Sequence, residues 1–111
     1  MGKNAAQNDR LTGSARADEM WLHAKDMPGS HVIIRTEGPV PDTTLMQAAT
    51  LACWYSKGQH SSMVPIDYTL RRHVKKPGGA APGMVIYTDQ HTLYMTVNEK
   101  DVRAIRLLED Q

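Results

Sequence analysis

Trp21, His23 and Lys25 alternate along one short segment, Met20-Trp21-Leu22-His23-Ala24-Lys25. In extended backbone successive side chains point to opposite faces, so an indole, an imidazole and an ammonium share one side. Met20, Leu22 and Ala24 share the other, which reads as a core face. The first set can stack on flat rings and attract anions. A second group of cations lies downstream: Arg71, Arg72, His73, Lys75 and Lys76. With Lys25 and Arg35 these could meet phosphates while Trp21 and His23 stack on bases. The competing reading places Trp21 in the core and makes the basic run a solvated strand end. From the residues alone the two readings weigh about equally.

Other chemistries fit fewer residues. The chain has five histidines, and His23, His31, His73 and Asp67 are conceivable metal ligands. A zinc or iron site needs a full set of His, Cys or carboxylate donors, and neither HExxH nor paired CxxC is present. The expectation is no metal and no cofactor. A general acid–base pair would combine His23 or His31 with Asp18, Glu19 or Asp26. Ser30 adjoins His31, but neighbours in a strand face opposite ways, which suits a nucleophile and its base poorly. Pro77 to Gly83 is glycine-rich, yet Lys75 and Lys76 precede the glycines and no GK[ST] follows, so it is not a P-loop. No enzymatic activity is expected.

These residues need elements to position them. Asn4 can cap a short helix through Ala5, Ala6 and Gln7, stopped by Gly13-Ser14. It is so polar that it must dock to be ordered, and Asn4, Gln7, Asn8 and the amides near Gly2 could touch phosphate. Met20 to His23 and His31 to Arg35 read as strands around the turn Met27-Pro28-Gly29-Ser30. After an extended loop with Pro39 and Pro41, the spacing of Leu45, Ala48, Ala49, Ala52 and Tyr55 predicts a helix over 45–57, capped by Asp42, Thr43 or Thr44 and ended at Gly58. Met63 to Leu70 reads as a strand, irregular at Pro65. Arg71 to Lys76 should continue extended. Met84–Thr88 and Thr92–Val97 should pair as a hairpin. A last helix is expected within 98–111. The fold class is α+β: a mainly antiparallel sheet with one central packed helix and short flanking helices.

Composition sets the outer bounds. A chain of 111 residues, 41% hydrophobic and 23% charged, is one folded domain, 1–111, with a single modest core. It lacks Phe, so two Trp, four Tyr and seven Met must supply the bulk. A net charge of +1 says nothing about a polyanionic partner; only the distribution does. Cys53 is single and lies in an apolar run, where a buried structural thiol is expected. No apolar run approaches the roughly 20 residues that span a bilayer, and no apolar leader opens the chain, so a cytoplasmic protein without membrane contact is expected.

Three ordered blocks carry a resemblance. They are Gly2 to Asp9 (GKNAAQND), Asp18 to Arg35 (DEMWLHAKDMPGSHVIIR) and Val64 to Thr96, which holds Arg-His-Val-Lys-Lys-Pro and the Gly-Gly-Ala-Ala-Pro-Gly loop. Together they resemble the NFACT-R domain, the RNA-binding module of the NFACT proteins, and the match covers nearly the whole chain. The acid-x-x-Trp-x-His signature stands here as Asp18, Trp21 and His23, and the Pro-Gly-Ser-His turn as Pro28 to His31. The resemblance implies a non-catalytic domain that binds RNA (rRNA or tRNA) on the large ribosomal subunit during quality control of stalled translation, in which nascent chains receive alanine tails. Its RNA contacts would be Trp21, His23, Lys25, His31, Arg35, Arg71, Arg72, His73, Lys75 and Lys76. The other NFACT domains and the strand that usually precedes Gly-Lys-Asn are absent, so this is either an excised fragment or a short stand-alone version. An incomplete sheet edge could then pair two copies. The alternative is a protein-interaction module with little RNA affinity of its own.

Overall fold

A computed structural model describes residues 1–109, the last four of them by backbone alone. In chain order the elements are α1 (Ala5–Ser14), β1 (Met20–Ala24), β2 (Val32–Ile34), α2 (Asp42–Trp54), β3 (Val64–Leu70), a 3-10 turn (Arg71–His73), β4 (Val74–Lys75), β5 (Ile86–Tyr87), β6 (His91–Met95) and α3 (Glu99–Glu109). Four strands form an antiparallel sheet in the order β2-β1-β3-β6, and β4 pairs with β5 in a small second sheet. The α+β class is as expected. No helix among the described residues is long and apolar enough to cross a membrane.

The alternation in β1 sets the layering. Leu22 and Ala24 join Val32, Ile34, Val64, Ile66 and Met95 on one face, under Ala48, Ala49, Ala52 and Cys53 of α2. The small side chains of α2 let its backbone approach the sheet closely. Val102 of α3 closes the same core. Each large apolar side chain buried there contributes about 1.5–3 kcal/mol. Cys53 is buried, with Sγ 3.9 Å from the Met95 carbonyl oxygen, the structural thiol expected. Within α2, Asp42 occupies the first turn, where a carboxylate suits the helix dipole. The helix starts at Asp42 and stops at Trp54, so its expected bounds of 45–57 shift toward the N-terminus; Pro41 is the N-cap and makes no side-chain capping bond.

Two expectations fail in the second half of the chain. Arg71 to Lys76 does not run on as strand: the chain turns through Arg71–His73 before β4. The segments around 86 and 92 do not pair with each other; β5 pairs with β4 and β6 with β3. The cause is tertiary. Arg71 donates from Nε to the Thr12 carbonyl oxygen and from Nη1 to that of Val74 (2.6 Å), which draws the chain out of the sheet plane toward α1. The strand β5 follows β4, held by Thr69 Oγ1 donating to the Thr88 carbonyl oxygen at 2.9 Å. Asp89, in the left-handed region at φ 58°, then reverses the chain into β6. The small sheet, α1 and the glycine-rich loop thus roof the sheet face opposite α2.

Candidate functional site

Under that roof lies the face that carries Trp21. The indole is 0% exposed. Its ring stacks on His23 at 5.7 Å, meets His31 edge-on at 5.3 Å and packs on Tyr87 at 4.7 Å. The expected wet stacking surface is therefore corrected: Trp21 is the centre of a second, aromatic core, because α1 and β5 cover the alternation that would have exposed it. His23 remains partly exposed beside it. His31 is wholly buried and does not reach the surface either. It anchors α1: Nδ1 is 2.7 Å from Thr12 Oγ1, its backbone N–H donates to Asn8 Oδ1 at 3.0 Å, and its carbonyl accepts from the Gly2 N–H at 3.1 Å. Asn8 Nδ2 in turn donates to the Gly29 carbonyl at 3.1 Å. Gly2 is required here, since a Cβ would lie 2.0 Å from Asn8 Oδ1.

Burial decides the charge of both imidazoles. Desolvation pushes the His31 pKa down to about 4, helped by the neighbouring His23 and opposed by Asp9 and the Gly83 backbone. Burial also lowers that of His23, against the Gly29 carbonyl and Asp67. Both are neutral near pH 7.

Beside them Asp67, opposite His23 and Thr92 in the sheet register, is a fully buried carboxylate. It accepts from Tyr87 Oη (2.5 Å), Thr92 Oγ1 (2.7 Å) and Lys25 Nζ (3.3 Å). Burial, and the hydrogen bond to the carboxylate, raise the Tyr87 pKa so that the phenol stays protonated. Lys25 is thus first a partner of Asp67, with its side chain 40% exposed.

The basic residues divide into holders and free cations. Arg71 is spent on Thr12 and Val74. Lys76 Nζ lies 3.2 Å from Asp9 Oδ1 and donates to the Ala81 and Met84 carbonyls, which pins the glycine-rich loop to α1. The Gly83 N–H donates to the same carboxylate at 2.9 Å and, with Lys76, holds the Asp9 pKa below the ordinary value. Gly83 needs its φ of +81°, and its Cα lies so close to α1 that a Cβ would sit 3.3 Å from Ala5 Cβ. Arg35 pairs with Glu19 (3.5 Å) and His73 with Asp89 (3.3 Å). Arg72 and Lys75 are exposed, as are Lys3 and Arg10 of the adjoining α1 region. Arg72 keeps one long contact, Nε to the Ala17 carbonyl at 3.4 Å.

Between these parts opens a cleft of about 890 Å³. Lys3 and Asn4 border it from the start of α1, Pro28 and Gly29 from the β1–β2 loop, Trp54 and Tyr55 from the end of α2, and Pro82 to Val85 from the glycine-rich loop, with His23 and Tyr87 also lining it. Parts of all three sequence blocks meet there. Sequence reasoning missed Tyr87, Asp9 and Arg10 as participants, and weighed Asp67 only as a metal ligand. The pairing of Asp67 with His23 would have been legible only from the strand register. Among the described residues no group of three His, Cys, Asp or Glu is placed to hold a metal ion.

Comparison with known proteins bears on this arrangement. Residues 1–93 match the family described as the NFACT protein RNA binding domain. The chain is 55% identical over 107 residues to the Rqc2 homolog RqcH of Bacillus subtilis (strain 168), covering 96% of this chain and 19% of that protein. It is 41% identical over 108 residues to the Rqc2 homolog RqcH of Streptococcus suis (strain 05ZYH33), covering 96% and 20%. The chain thus spans about a fifth of the length of these relatives. The solved structure of the C-terminal of the fibronectin/fibrinogen-binding protein from Streptococcus suis superposes with a TM-score of 0.88 at 42% identity, over 93% of this chain and 42% of that one.

Proposed function

The chain belongs to the NFACT RNA-binding domain family, and on that premise we propose that it is a non-catalytic RNA-binding module whose contact surface is the layer built from α1, the 3-10 turn, β4 and the glycine-rich loop. The observation that carries this reading is the bridge from Lys76 to Asp9, which ties the segment of the exposed Arg72 and Lys75 to the helix of the exposed Arg10, with Lys3 of the cleft lining just before it. Free cations grouped on one layer meet the phosphates of a backbone, and the cleft offers polar and aromatic groups to what lies between them. In this reading Trp21, His31 and Arg71 build the surface without touching the partner. His23, Lys25, Arg35, His73 and Lys76 stand at its margin, each held by a partner inside the protein or half sheltered. The partner is ribosomal or transfer RNA at the large subunit in the cytoplasm, where an RqcH-type protein would employ this domain.

Binding of an rRNA fragment or a tRNA, followed by anisotropy over a range of salt, tests the surface. Affinity should fall steeply with salt. Arg72→Ala combined with Lys75→Ala should flatten the log–log slope by about 0.7–0.9 for each phosphate no longer neutralised. An unchanged slope in that double variant overturns the assignment. The exposed Met84 and Ile86 favour the other reading, a protein-interaction module; a complete lack of binding to free RNA selects it. Self-pairing along an open edge of the four-stranded sheet, at β2 or β6, is a further element of the proposal. A sedimentation coefficient that stays at the monomer value as protein concentration rises removes it.

A further inference from the structure

We propose that the cleft bordered by His23 and Tyr87 receives one unpaired nucleotide of the bound RNA, base inward; this rests on the RNA-binding reading above. Its volume, about 890 Å³, falls within the range of about 300–1,000 Å³ typical of small-molecule sites. Its walls combine flat and polarisable groups (Tyr87, Trp54 and Met84) with a few polar ones.

The aromatic part is prepared in advance. The Tyr87 hydroxyl is tied to the buried Asp67 at 2.5 Å and its ring rests on Trp21 at 4.7 Å, so it can meet a base without losing further freedom. His23 is held by Trp21 and by His31, 5.0 Å away edge-on. Neutral, with its N–H turned to the Gly29 carbonyl, it keeps one ring nitrogen as an acceptor, a match for a base amine rather than for a phosphate. Asp26, exposed on the lining, only accepts hydrogen bonds and suits an exocyclic amine; Lys3 supplies a cation for the adjacent phosphate. A duplex cannot use such a site, because its bases are stacked and paired.

The test uses the chain as it is, with single-stranded RNA oligomers and a duplex of equal length. Trp54 lines the cleft while Trp21 is sealed, so a change in tryptophan emission reports on the cleft. Single strands should quench that emission and bind about tenfold tighter than the duplex, the effect of stacking one base. Met84→Glu adds a carboxylate at the mouth of the cleft; Met84 is 61% exposed, so the fold should tolerate it. This variant should weaken single strands more than the duplex, lose most of the preference for single strands and leave the melting temperature unchanged. If salt-dependent RNA binding persists while emission does not move and wild type and Met84→Glu bind single strands equally, the cleft assignment fails and the basic layer stands. If no RNA binds in any form, both fail. The wild-type comparison decides independently of how the variant folds.

Discussion

His31 shows how burial fixes the role of a residue. The imidazole meets Thr12 Oγ1 at Nδ1, and its Nε2 is buried without a hydrogen bond among the described residues, the Gly83 backbone lying only close enough to oppose the shift weakly. Protonating it would place a charge in the aromatic core, which is why its pKa is pushed down to about 4. The unfolded chain, with an ordinary histidine, binds that proton near pH 6.5. Between these values the unfolded state holds more protons than the folded one, so stability is full above about pH 6.5 and declines as the pH falls toward 4. Urea unfolding across that interval should show a loss on the order of 3 kcal/mol, with His23 adding in the same direction. His31→Asn should make the profile shallower; a profile that stays as steep would refute the assignment. Tyr87 makes a second test at this scale. Tyr87→Phe keeps the ring but removes one of the donors to the buried Asp67 carboxylate. The expected cost is about 1–3 kcal/mol, read as a melting temperature lower by roughly 4–8 °C per kcal/mol.

At the scale of elements, α1 is the part that could not hold its own shape. It is short and polar, and tertiary contacts order it: the Gly2 and Asn8 bonds to the His31 segment at its start, and Arg71 on the Thr12 carbonyl at its end. Gly2→Ala should break the first set, because its Cβ would collide with Asn8 Oδ1. Hydrogen exchange should then accelerate through α1 while the protection of α2 and β3 stays high. Equal protection in both forms would show that the contact is dispensable. The glycine-rich loop depends on Asp9 in the same way. Asp9→Ala removes the acceptor for Gly83 N–H and the partner of Lys76. Faster proteolysis within residues 77–83 is the expected readout, with α2 remaining intact.

On the scale of the whole molecule, the sheet separates two cores of different chemistry. The side under α2 and α3 is aliphatic, built from Leu22, Ile66, Ala49 and their neighbours, and supports stability. Leu22→Ala there should cost about 2–5 kcal/mol in urea unfolding, with RNA slopes unchanged once the variant is folded. The other side is aromatic and polar and leads to the cleft and the free cations. A fold arranged this way keeps the proposed contact surface on a rigid floor, because Trp21, His31 and Asp67 are held by contacts within the protein.

Local periodicity and chemistry were enough to read the helices near Asn4 and Leu45, the strands at Met20, Val32 and Val64, the α+β class and the buried thiol of Cys53. These follow from side-chain alternation and capping, which depend on a few adjacent residues. What local pattern could not carry was the second layer. Trp21 sits on the alternating face that looked wet, and only the docking of α1 and β5 from distant parts of the chain buries it. Arg71 and Lys76 looked like phosphate contacts beside Arg72 and Lys75; only the positions of Thr12 and Asp9 convert them into structural ties. The amino-acid sequence by itself determined which residues could do the chemistry. The tertiary structure alone decided which of them reach solvent, because exposure depends on partners tens of residues away and not on a residue's neighbours in the chain.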